Sequence, residues 1–334
     1  MPYTDIDFEK PGKQVGNIDF PHSIHTDAWG VLPIPVCVIK NGTGPTIILQ
    51  GGNHGDEYEG PIILGELVRD LDPARVSGRL IILPTINRPA IEAGNRCSPL
   101  DGLNFNRTFP GKLTGSITEQ LSSYVHDALF PLADAFIDLH SGGSSLNMMP
   151  SAIIEPCKDS NLAQKIRAAV MAFGAPMNVV ISNYGDPRTS TAAAVRAGLV
   201  TVGTELGGAA TVTPQALEIG RNGVFNLLAH LGVLEEKPEP TLLQATPVHQ
   251  ISGADAYVRA SETGVFEPFH KLGDKVEAGQ GAGRIHFLSD PEKAPVELVY
   301  ARKGVVYGLR QPGNVRPGNC CVVIATRCQE QVIA

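Results

Sequence analysis

Residues 45–60, PTIILQGGNHGDEYEG, join a buried strand to a helix through a glycine-rich turn. PTIILQ is a short run of large apolar residues, as in a strand covered on both faces of a sheet. The helix predicted after it runs from about Glu57 to Leu71. Because α/β proteins place their ligands at the carboxyl ends of such strands, we expect the polar side chains of this turn to be functional.

The same alternation of strand and helix continues to about residue 232. Further strands are predicted at RLIILPTIN, ADAFIDLH, SAIIEP, MNVVIS and LVTVGTEL. Between them, a capping-box pattern at Ser116–Glu119 and an N-cap followed by proline at Thr213–Pro214 predict the starts of two helices. The alternation indicates an α/β fold, in which helices flank both faces of a mainly parallel sheet.

The chain changes character after residue 235. EEKPEPTLLQATP (235–247) is rich in proline and charge, and residues 250–328 contain short β-type runs with frequent Gly and Pro. Gly264-Val265-Phe266 returns 40 residues later as Gly304-Val305-Val306, which predicts a repeated unit in a small β-barrel or sandwich. The predicted organisation is a catalytic domain at 1–235, a linker at 236–249 and a C-terminal β domain at 250–334.

Composition excludes several classes of protein. The 334 residues carry a formal net charge of −7, and their 27 basic residues form no cluster. Nucleic acid and anionic membranes are therefore not expected partners. No stretch approaches the length of a membrane span, the polar N-terminus lacks the apolar core of a signal peptide, and six scattered cysteines fit reduced thiols. We expect a cytoplasmic protein.

Two strand ends carry residues suited to bind a metal. His54 and Glu57 lie three residues apart in the glycine-rich turn, and His140 ends ADAFIDLH. Two histidines and one glutamate leave an open coordination position, as in hydrolytic zinc sites. Asp138 lies on the same side of its strand as His140 and is placed to orient the imidazole. We predict one Zn²⁺ per chain; the alternative is a chance HxxE in a surface turn.

These motifs resemble the succinylglutamate desuccinylase and aspartoacylase family, whose fold is that of zinc carboxypeptidases. The resemblance covers about residues 45–235, and the family also has a C-terminal β domain. It implies that His54, Glu57 and His140 bind zinc, that Asn106 and Arg107 bind the substrate carboxylate, that Arg96 polarises the scissile carbonyl, and that Glu205 activates the attacking water. The alternatives without a catalytic role are that Arg96 or Arg107 is a surface arginine in a long loop, and that Glu205 caps a helix or pairs with a lysine.

Within this family, DAWG (27–30), SPLDG (98–102), NRTFPG (106–111) and TELGG (204–208) resemble the members that deacetylate N-α-acetyl-L-2,4-diaminobutyrate in ectoine breakdown. That substrate is a small N-acetylated amino acid with a free ammonium, which needs an acidic partner in the pocket. Asp186 is the predicted partner, whereas Glu59 is expected on the outer face of the first helix. The upstream hydrolase that opens the ectoine ring and a second copy of this chain are candidate partners.

Two alternatives stay open at this point. The metal site is also compatible with an aspartoacylase, a desuccinylase or a carboxypeptidase. A non-catalytic binding protein on the same fold is a third hypothesis, although such a protein has no need of a general base such as Glu205.

Overall fold

The computed structural model describes residues 1–181, 185–235 and 246–328. No helix in these ranges is both long and apolar enough to cross a membrane. The strands up to the end of the helical region are β1 (Gly12–Pro21), β2 (Val31–Asn41), β3 (Thr46–Gly51), β4 (Gly78–Leu83), β5 (Ala135–Leu139), β6 (Leu146–Met148), β7 (Ser151–Ile154), β8 (Met177–Ile181) and β9 (Val200–Glu205).

The remaining strands follow the last helix. They are β10 (Val248–Ile251), β11 (Tyr257–Arg259), β12 (Gly264–Pro268), β13 (Lys275–Val276), β14 (Gly281–His286), β15 (Val296–Val299), β16 (Gly304–Arg310), β17 (Asn314–Val315) and β18 (Cys320–Arg327). The helices are α1 (Glu59–Asp70), α2 (Arg88–Ala93), α3 (Ile117–Tyr124), α4 (Ser160–Phe173), α5 (Ser190–Arg196) and α6 (Pro214–His230).

Both predicted helix starts are present. The Oγ1 of Thr213 accepts a hydrogen bond from the Ala216 N–H at 3.1 Å, and Pro214 is the first residue of α6. The Glu119 carboxylate accepts one from the Ser116 N–H at 2.8 Å ahead of α3. In each case a side chain satisfies a backbone donor that a helix terminus leaves free.

The helices flank a central sheet with the strand order β1-β2-β4-β3-β5-β9-β7-β8-β10, which continues through β18 and β16 to β13. Strands β4, β3, β5 and β9 are mutually parallel. Strand β7 runs antiparallel to β9 and parallel to β8, so the sheet is mixed at this point. The parallel part brings the carboxyl ends of β3, β5 and β9 to one edge.

Alternate residues of the buried strands pack into two cores. On β3, Ile47 and Leu49 face a cluster that contains the apolar sides of α1, α4 and α6. Ile48 faces the opposite cluster, which includes residues of α3 and α5. Because successive side chains of a strand point to opposite faces, the continuous apolar run of β3 supplies both cores at once.

The C-terminal strands form a second, smaller unit of β-structure. A four-stranded sheet with the order β15-β14-β12-β17 encloses, together with β11, β13, β16 and β18, a core that includes Phe266, Ile285 and Val306. The 40-residue repeat appears as reciprocal pairing. β13 pairs with β16, and β17 pairs with β12. Each repeat therefore places its first strand against the second strand of the other.

The predicted linker falls mainly on residues 236–245, which lie outside the described residues. At its end, Val248 and His249 already belong to β10, which pairs with β8 on one side and β18 on the other. The C-terminal strands thus continue the central sheet, and β6 adds a further contact by pairing with β16. The division into domains at 235 and 250 stays a prediction.

Candidate active site

Three parallel strands converge on the site. Gly51 at the end of β3 pairs with Leu139 at the end of β5, and Asp138 pairs with Gly203 on β9. The turn after β3 carries His54 and Glu57, His140 directly follows β5, and Glu205 ends β9. Residues up to 151 positions apart in sequence therefore lie at a single sheet edge.

Close packing explains the glycines of the turn after β3. Gly52 has a φ of +66°, a conformation that favours glycine. A Cβ atom at Gly55 would lie 1.8 Å from the carbonyl oxygen of Ala90. The turn can pass under α2 only if this position has no side chain, and that path holds His54 in the protein interior.

His54, Glu57 and His140 form one group of potential metal ligands. Their donor atoms all lie within 4.8 Å of one another. The Nδ1 of His54 is 2.7 Å from Oε1 of Glu57, and the Nδ1 of His140 is 2.8 Å from its Oε2. This is the only such group of three or more His, Cys, Asp and Glu residues within 1–181, 185–235 and 246–328.

The hydrogen bonds of the two Nε2 atoms, which point away from Glu57, indicate that this group suits a cation. The Nε2 of His54 lies 3.1 Å from Oδ1 of Asn104, an oxygen that also accepts from the Asn106 N–H. The Nε2 of His140 lies 3.0 Å from the Asp138 carboxylate. Both acceptors require a protonated Nε2, which leaves lone pairs on both Nδ1 atoms beside the Glu57 oxygens. These lone pairs and the carboxylate would be stabilised by a shared cation.

Asp138 is held by several donors besides His140. Its carboxylate is fully buried and accepts from Gln50 and Asn53 at 3.1 Å each, and from the Ser190 hydroxyl. The N–H of Ser190 in turn donates to Oδ1 of Asn106 at 2.8 Å. A continuous hydrogen-bond network therefore runs from Asn106 through Ser190 and Asp138 to a potential metal ligand.

The charges of the group depend on one another. Burial opposes the protonation of His140, but the Asp138 and Glu57 carboxylates raise its pKa well above the ordinary value. Burial lowers the pKa of His54. Burial also opposes ionisation of Glu57, yet the two histidines hold its pKa below the usual range. A proton and a metal ion would therefore compete for the Nδ1 of His140, because both bind the same ligand atom.

Glu205 lies in the same cavity but has a different environment. Its Oε2 is buried and has no hydrogen-bond partner among the described residues. Burial, and next the neighbouring Glu57 carboxylate, raise the pKa of Glu205 to about 8. This carboxyl can therefore exchange a proton near neutral pH.

The cavity beside these residues has a volume of about 310 Å³, and its wall includes Arg96, Asn106 and Arg107. Nη1 of Arg96 lies 3.3 Å from Oε1 of Glu57. Arg107 donates from Nη1 to the carbonyl of Asn106 at 2.6 Å. The structure thus brings together seven of the eight site residues predicted from sequence.

The eighth, Asp186, does not line the cavity. Its carboxylate accepts two hydrogen bonds from the guanidinium of Arg188, at 2.8 and 2.9 Å, and one from the Arg188 N–H at 3.0 Å. It lies 3.4 Å from Nε of Arg107. With two arginines already present, this geometry favours orientation of Arg107 over a contact with a substrate ammonium. The expectation for Glu59 was wrong: it is 1% exposed rather than on the outer face of α1.

Sequence reasoning missed Asn104, Ser190 and Glu155. Asn104 and Ser190 contact site residues 50 and 52 positions away in sequence. No local pattern reports such contacts. Glu155, just beyond β7, lines the cavity. The sequence pattern that could have indicated it is its position directly after the apolar strand in SAIIEP.

Comparison with known proteins now defines the family. Residues 43–231, more than half of the chain, match the model of the succinylglutamate desuccinylase/aspartoacylase catalytic domain. The chain belongs to this family. One member, the N-alpha-acetyl-L-2,4-diaminobutyric acid deacetylase of Halomonas elongata, is 40% identical over 324 residues, which cover 96% of this chain and 93% of that protein.

Solved structures of family members share the whole fold. A succinylglutamate desuccinylase/aspartoacylase from Rhodobacter sphaeroides is 41% identical, with a TM-score of 0.93 over 98% of this chain and 99% of the other. The product-bound ectoine utilization protein EutE (DoeB) from Ruegeria pomeroyi is 37% identical, with a TM-score of 0.93 over 97% and 98% of the two chains. Both likenesses extend through the C-terminal strands, so the β unit is part of the shared architecture.

Proposed function

We propose that this protein hydrolyses the acetyl amide of N-α-acetyl-L-2,4-diaminobutyrate to acetate and L-2,4-diaminobutyrate, with one Zn²⁺ per chain. The observation that carries the proposal is the His54–Glu57–His140 group, with Glu205 in the same cavity. The substrate follows from the names of two family members, a diaminobutyric acid deacetylase and an ectoine utilization protein.

Zinc suits the ligand set. Two imidazoles and one carboxylate are the ligands of several hydrolytic zinc sites, which keep one position open. A zinc ion there supplies Lewis acidity that polarises the scissile carbonyl and acidifies the attacking water. Asp138 and Asn104 hold the two imidazoles so that each Nδ1 faces Glu57, and such outer partners raise affinity for the metal.

Glu205 is the proposed general base. Its Oε2 takes a proton from water as the water oxygen bonds to the acetyl carbon. The same carboxyl then delivers that proton to the α-nitrogen as the C–N bond breaks. The second proton of the water passes from the acetic acid that forms to the released amine, so that acetate and an ammonium group are the products. The buried Oε2, which has no hydrogen-bond partner among the described residues, is free to contact the water, and a carboxyl so placed can both accept and donate the proton.

The two arginines of the wall have separate proposed roles. Arg96 is the donor for the negative oxygen that develops on the acetyl carbonyl, since such stabilisation acts on charge formed in the transition state. Arg107, with Asn106, binds the α-carboxylate, because a guanidinium fork matches a carboxylate. Asp186 contributes to this binding through Arg107.

The place of the reaction follows from the substrate. An N-acetylated diamino acid arises when a hydrolase opens the cyclic amidine of ectoine, so we propose that such a hydrolase supplies the substrate in the cytoplasm. A stable complex with it, and a homo-oligomer, are further proposals that co-purification and light scattering would test.

The decisive experiment combines elemental analysis with an assay of acetate release. His54→Ala and Glu57→Ala should each lose activity and most of the bound zinc, because an open three-ligand site tolerates no missing ligand. His126→Ala, which lies outside the cavity and contacts Asp127, should keep both. Full zinc occupancy and full activity in the first two variants would refute the proposed centre.

A substrate panel separates this function from the alternatives. The purified enzyme should release acetate from N-α-acetyl-L-2,4-diaminobutyrate faster than it deacylates N-acetylaspartate or N-succinylglutamate. Preference for an acidic substrate would indicate an aspartoacylase or desuccinylase. Zinc binding without turnover of any compound would indicate a binding protein.

A further inference from the structure

Glu155 is a buried carboxyl that the proposed chemistry does not use. It follows β7, is 9% exposed and lines the same cavity as the metal ligands. Its one described hydrogen bond comes from the Thr191 hydroxyl, which donates to Oε2 at 2.8 Å. Glu155 forms no ion pair with another described residue, and Arg196 is the one basic residue whose charge affects its pKa.

An unpaired carboxylate in such a place costs free energy, because a buried charge needs a partner. Burial raises the pKa of Glu155 to about 7, and the hydrogen bond from Thr191 and the more distant Arg196 only partly offset it. The site would therefore be stabilised by a cation that enters from the cavity.

The other acidic groups of the cavity wall are already committed. Glu57 lies against the Nδ1 atoms of His54 and His140 and accepts hydrogen bonds from Arg96 and the Ser141 N–H. Glu205 stands beside this group at the end of β9. Among the described lining residues, Glu155 is the one remaining carboxyl that can meet a positive charge.

Strand pairing separates Glu155 from the reaction centre. On β7, Ser151 pairs with Glu205 and Ile153 pairs with Gly203. Because β7 runs antiparallel to β9, Glu155 lies beyond the Ile153–Gly203 pair, on the side away from the carboxyl end of β9. Ile153, Thr191 and Gly203 line the cavity between the two regions, so a substrate can extend from Glu205 toward Glu155.

We infer that Glu155 selects the substrate by pairing with its side-chain ammonium, while Arg107 takes the α-carboxylate. This inference rests on the proposed function and refines it. The cavity is then positive where it binds the carboxylate and negative where it binds the side chain, which matches a diamino acid and disfavours an N-acylaspartate. An N-acylaspartate would place its side-chain carboxylate beside Glu155, and repulsion between the two negative charges would disfavour its binding.

The test compares two substrates that differ in one charge. N-α-acetyl-L-2,4-diaminobutyrate and N-acetyl-L-norvaline have side chains of similar size, but norvaline carries a methyl group in place of the ammonium. Kinetics are measured for the zinc-loaded wild type, Glu155→Gln and the matched control Glu66→Gln. Glu66 pairs with Arg221 outside the cavity.

The glutamine variant keeps shape and the Thr191 contact but cannot hold a negative charge. We expect kcat/KM for the charged substrate to fall about 10- to 100-fold, mainly through KM, the scale of a hydrogen bond to a charged group. The value for N-acetyl-L-norvaline should stay within about twofold, and Glu66→Gln should resemble the wild type. Equal losses on both substrates, or no loss on either, would overturn the inference.

Calorimetry decides the same point without turnover. L-2,4-diaminobutyrate should bind the zinc-loaded wild type more tightly than norvaline does, and Glu155→Gln should remove that difference. If the wild type hydrolyses neither acetylated compound, the proposed function fails, yet this comparison still tests Glu155. Equal binding of both amino acids to the wild type would overturn the inference by itself.

Discussion

Asp138 accepts a hydrogen bond from Nε2 of His140 at 3.0 Å. The carboxylate is fully buried and is held by Gln50, Asn53 and Ser190. Burial disfavours its ionised form, but His140 and these donors hold the pKa of Asp138 below the ordinary value. The carboxylate therefore stays charged and directs the opposite nitrogen of the imidazole toward Glu57.

Asp138→Asn should weaken zinc binding. The substitution preserves size but removes the negative charge that makes the imidazole a better ligand, and loss of such a partner typically costs about 10- to 100-fold in affinity. Competition with a fluorescent chelator measures the zinc affinity. Asp127→Asn, at a carboxylate that contacts His126 outside the cavity, is the control. An unchanged affinity in Asp138→Asn would show that backbone geometry alone orients His140.

Glu205→Gln should abolish most catalysis while the metal remains. An amide cannot accept the proton of water, so we expect kcat to fall roughly a hundredfold or more, on the scale of general acid–base catalysis. Zinc content should stay near that of the wild type, since Glu205 is not one of the grouped ligands. Turnover at the wild-type rate would assign Glu205 a structural role.

Asp186→Asn should raise KM for the charged and uncharged substrates alike. Asp186 lies 3.4 Å from the Nε of Arg107, and both substrates present the same α-carboxylate to that arginine. The expected increase is roughly fivefold, since a partly exposed ion pair contributes up to about 1 kcal/mol. Glu267→Gln, in an ion pair on the C-terminal β unit, is the control. A loss confined to the charged substrate would identify Asp186, rather than Glu155, as the partner of the ammonium.

Glu155 should also make folding stability depend on pH. Its pKa is about 7 in the folded protein against an ordinary value of 4.5. The folded state therefore binds the proton more tightly, and stability decreases as pH rises from about 4.5 to about 7, then levels off. The full effect is on the order of 3 kcal/mol.

Denaturant titrations of the wild type and Glu155→Gln at pH 5 and pH 8 measure this effect. The variant should gain stability relative to the wild type at pH 8, because glutamine has no charge to bury. Taking the difference between variants cancels the pH dependence of the other groups, including the metal ligands. A difference that does not vary with pH would mean that Glu155 already has a cationic partner in the folded protein.

Much of the fold was predictable because its signals are local. The apolar run 45–50 predicted β3, since a strand buried on both faces needs large residues at every position. Thr213 and Pro214 predicted the start of α6 for an equally local reason, the capping of free backbone donors. The grouping of His54, Glu57 and His140 was predictable as well, because these residues lie within a few positions of strand ends that such patterns mark.

Contacts between distant segments were decided by the tertiary structure. The antiparallel pairing of β7 with β9 brings Glu155 into the cavity. The position of α5 places Ser190 against Asp138 and Asn106. No short-range pattern contains this information, because strand order and helix docking follow from packing of the whole core.

The carboxylates show the division most clearly. By itself, the sequence predicted His54, Glu57 and His140 as metal ligands from their types and spacing, and the family resemblance added Glu205. As the partner of the substrate ammonium it favoured Asp186 over Glu59 and did not single out Glu155, because these carboxylates are chemically alike. The tertiary structure buries Glu59, pairs Asp186 with two arginines and places Glu155 in the cavity wall. The environment of a carboxylate determines its role, because burial and neighbouring charge set both its protonation and the partner it can take.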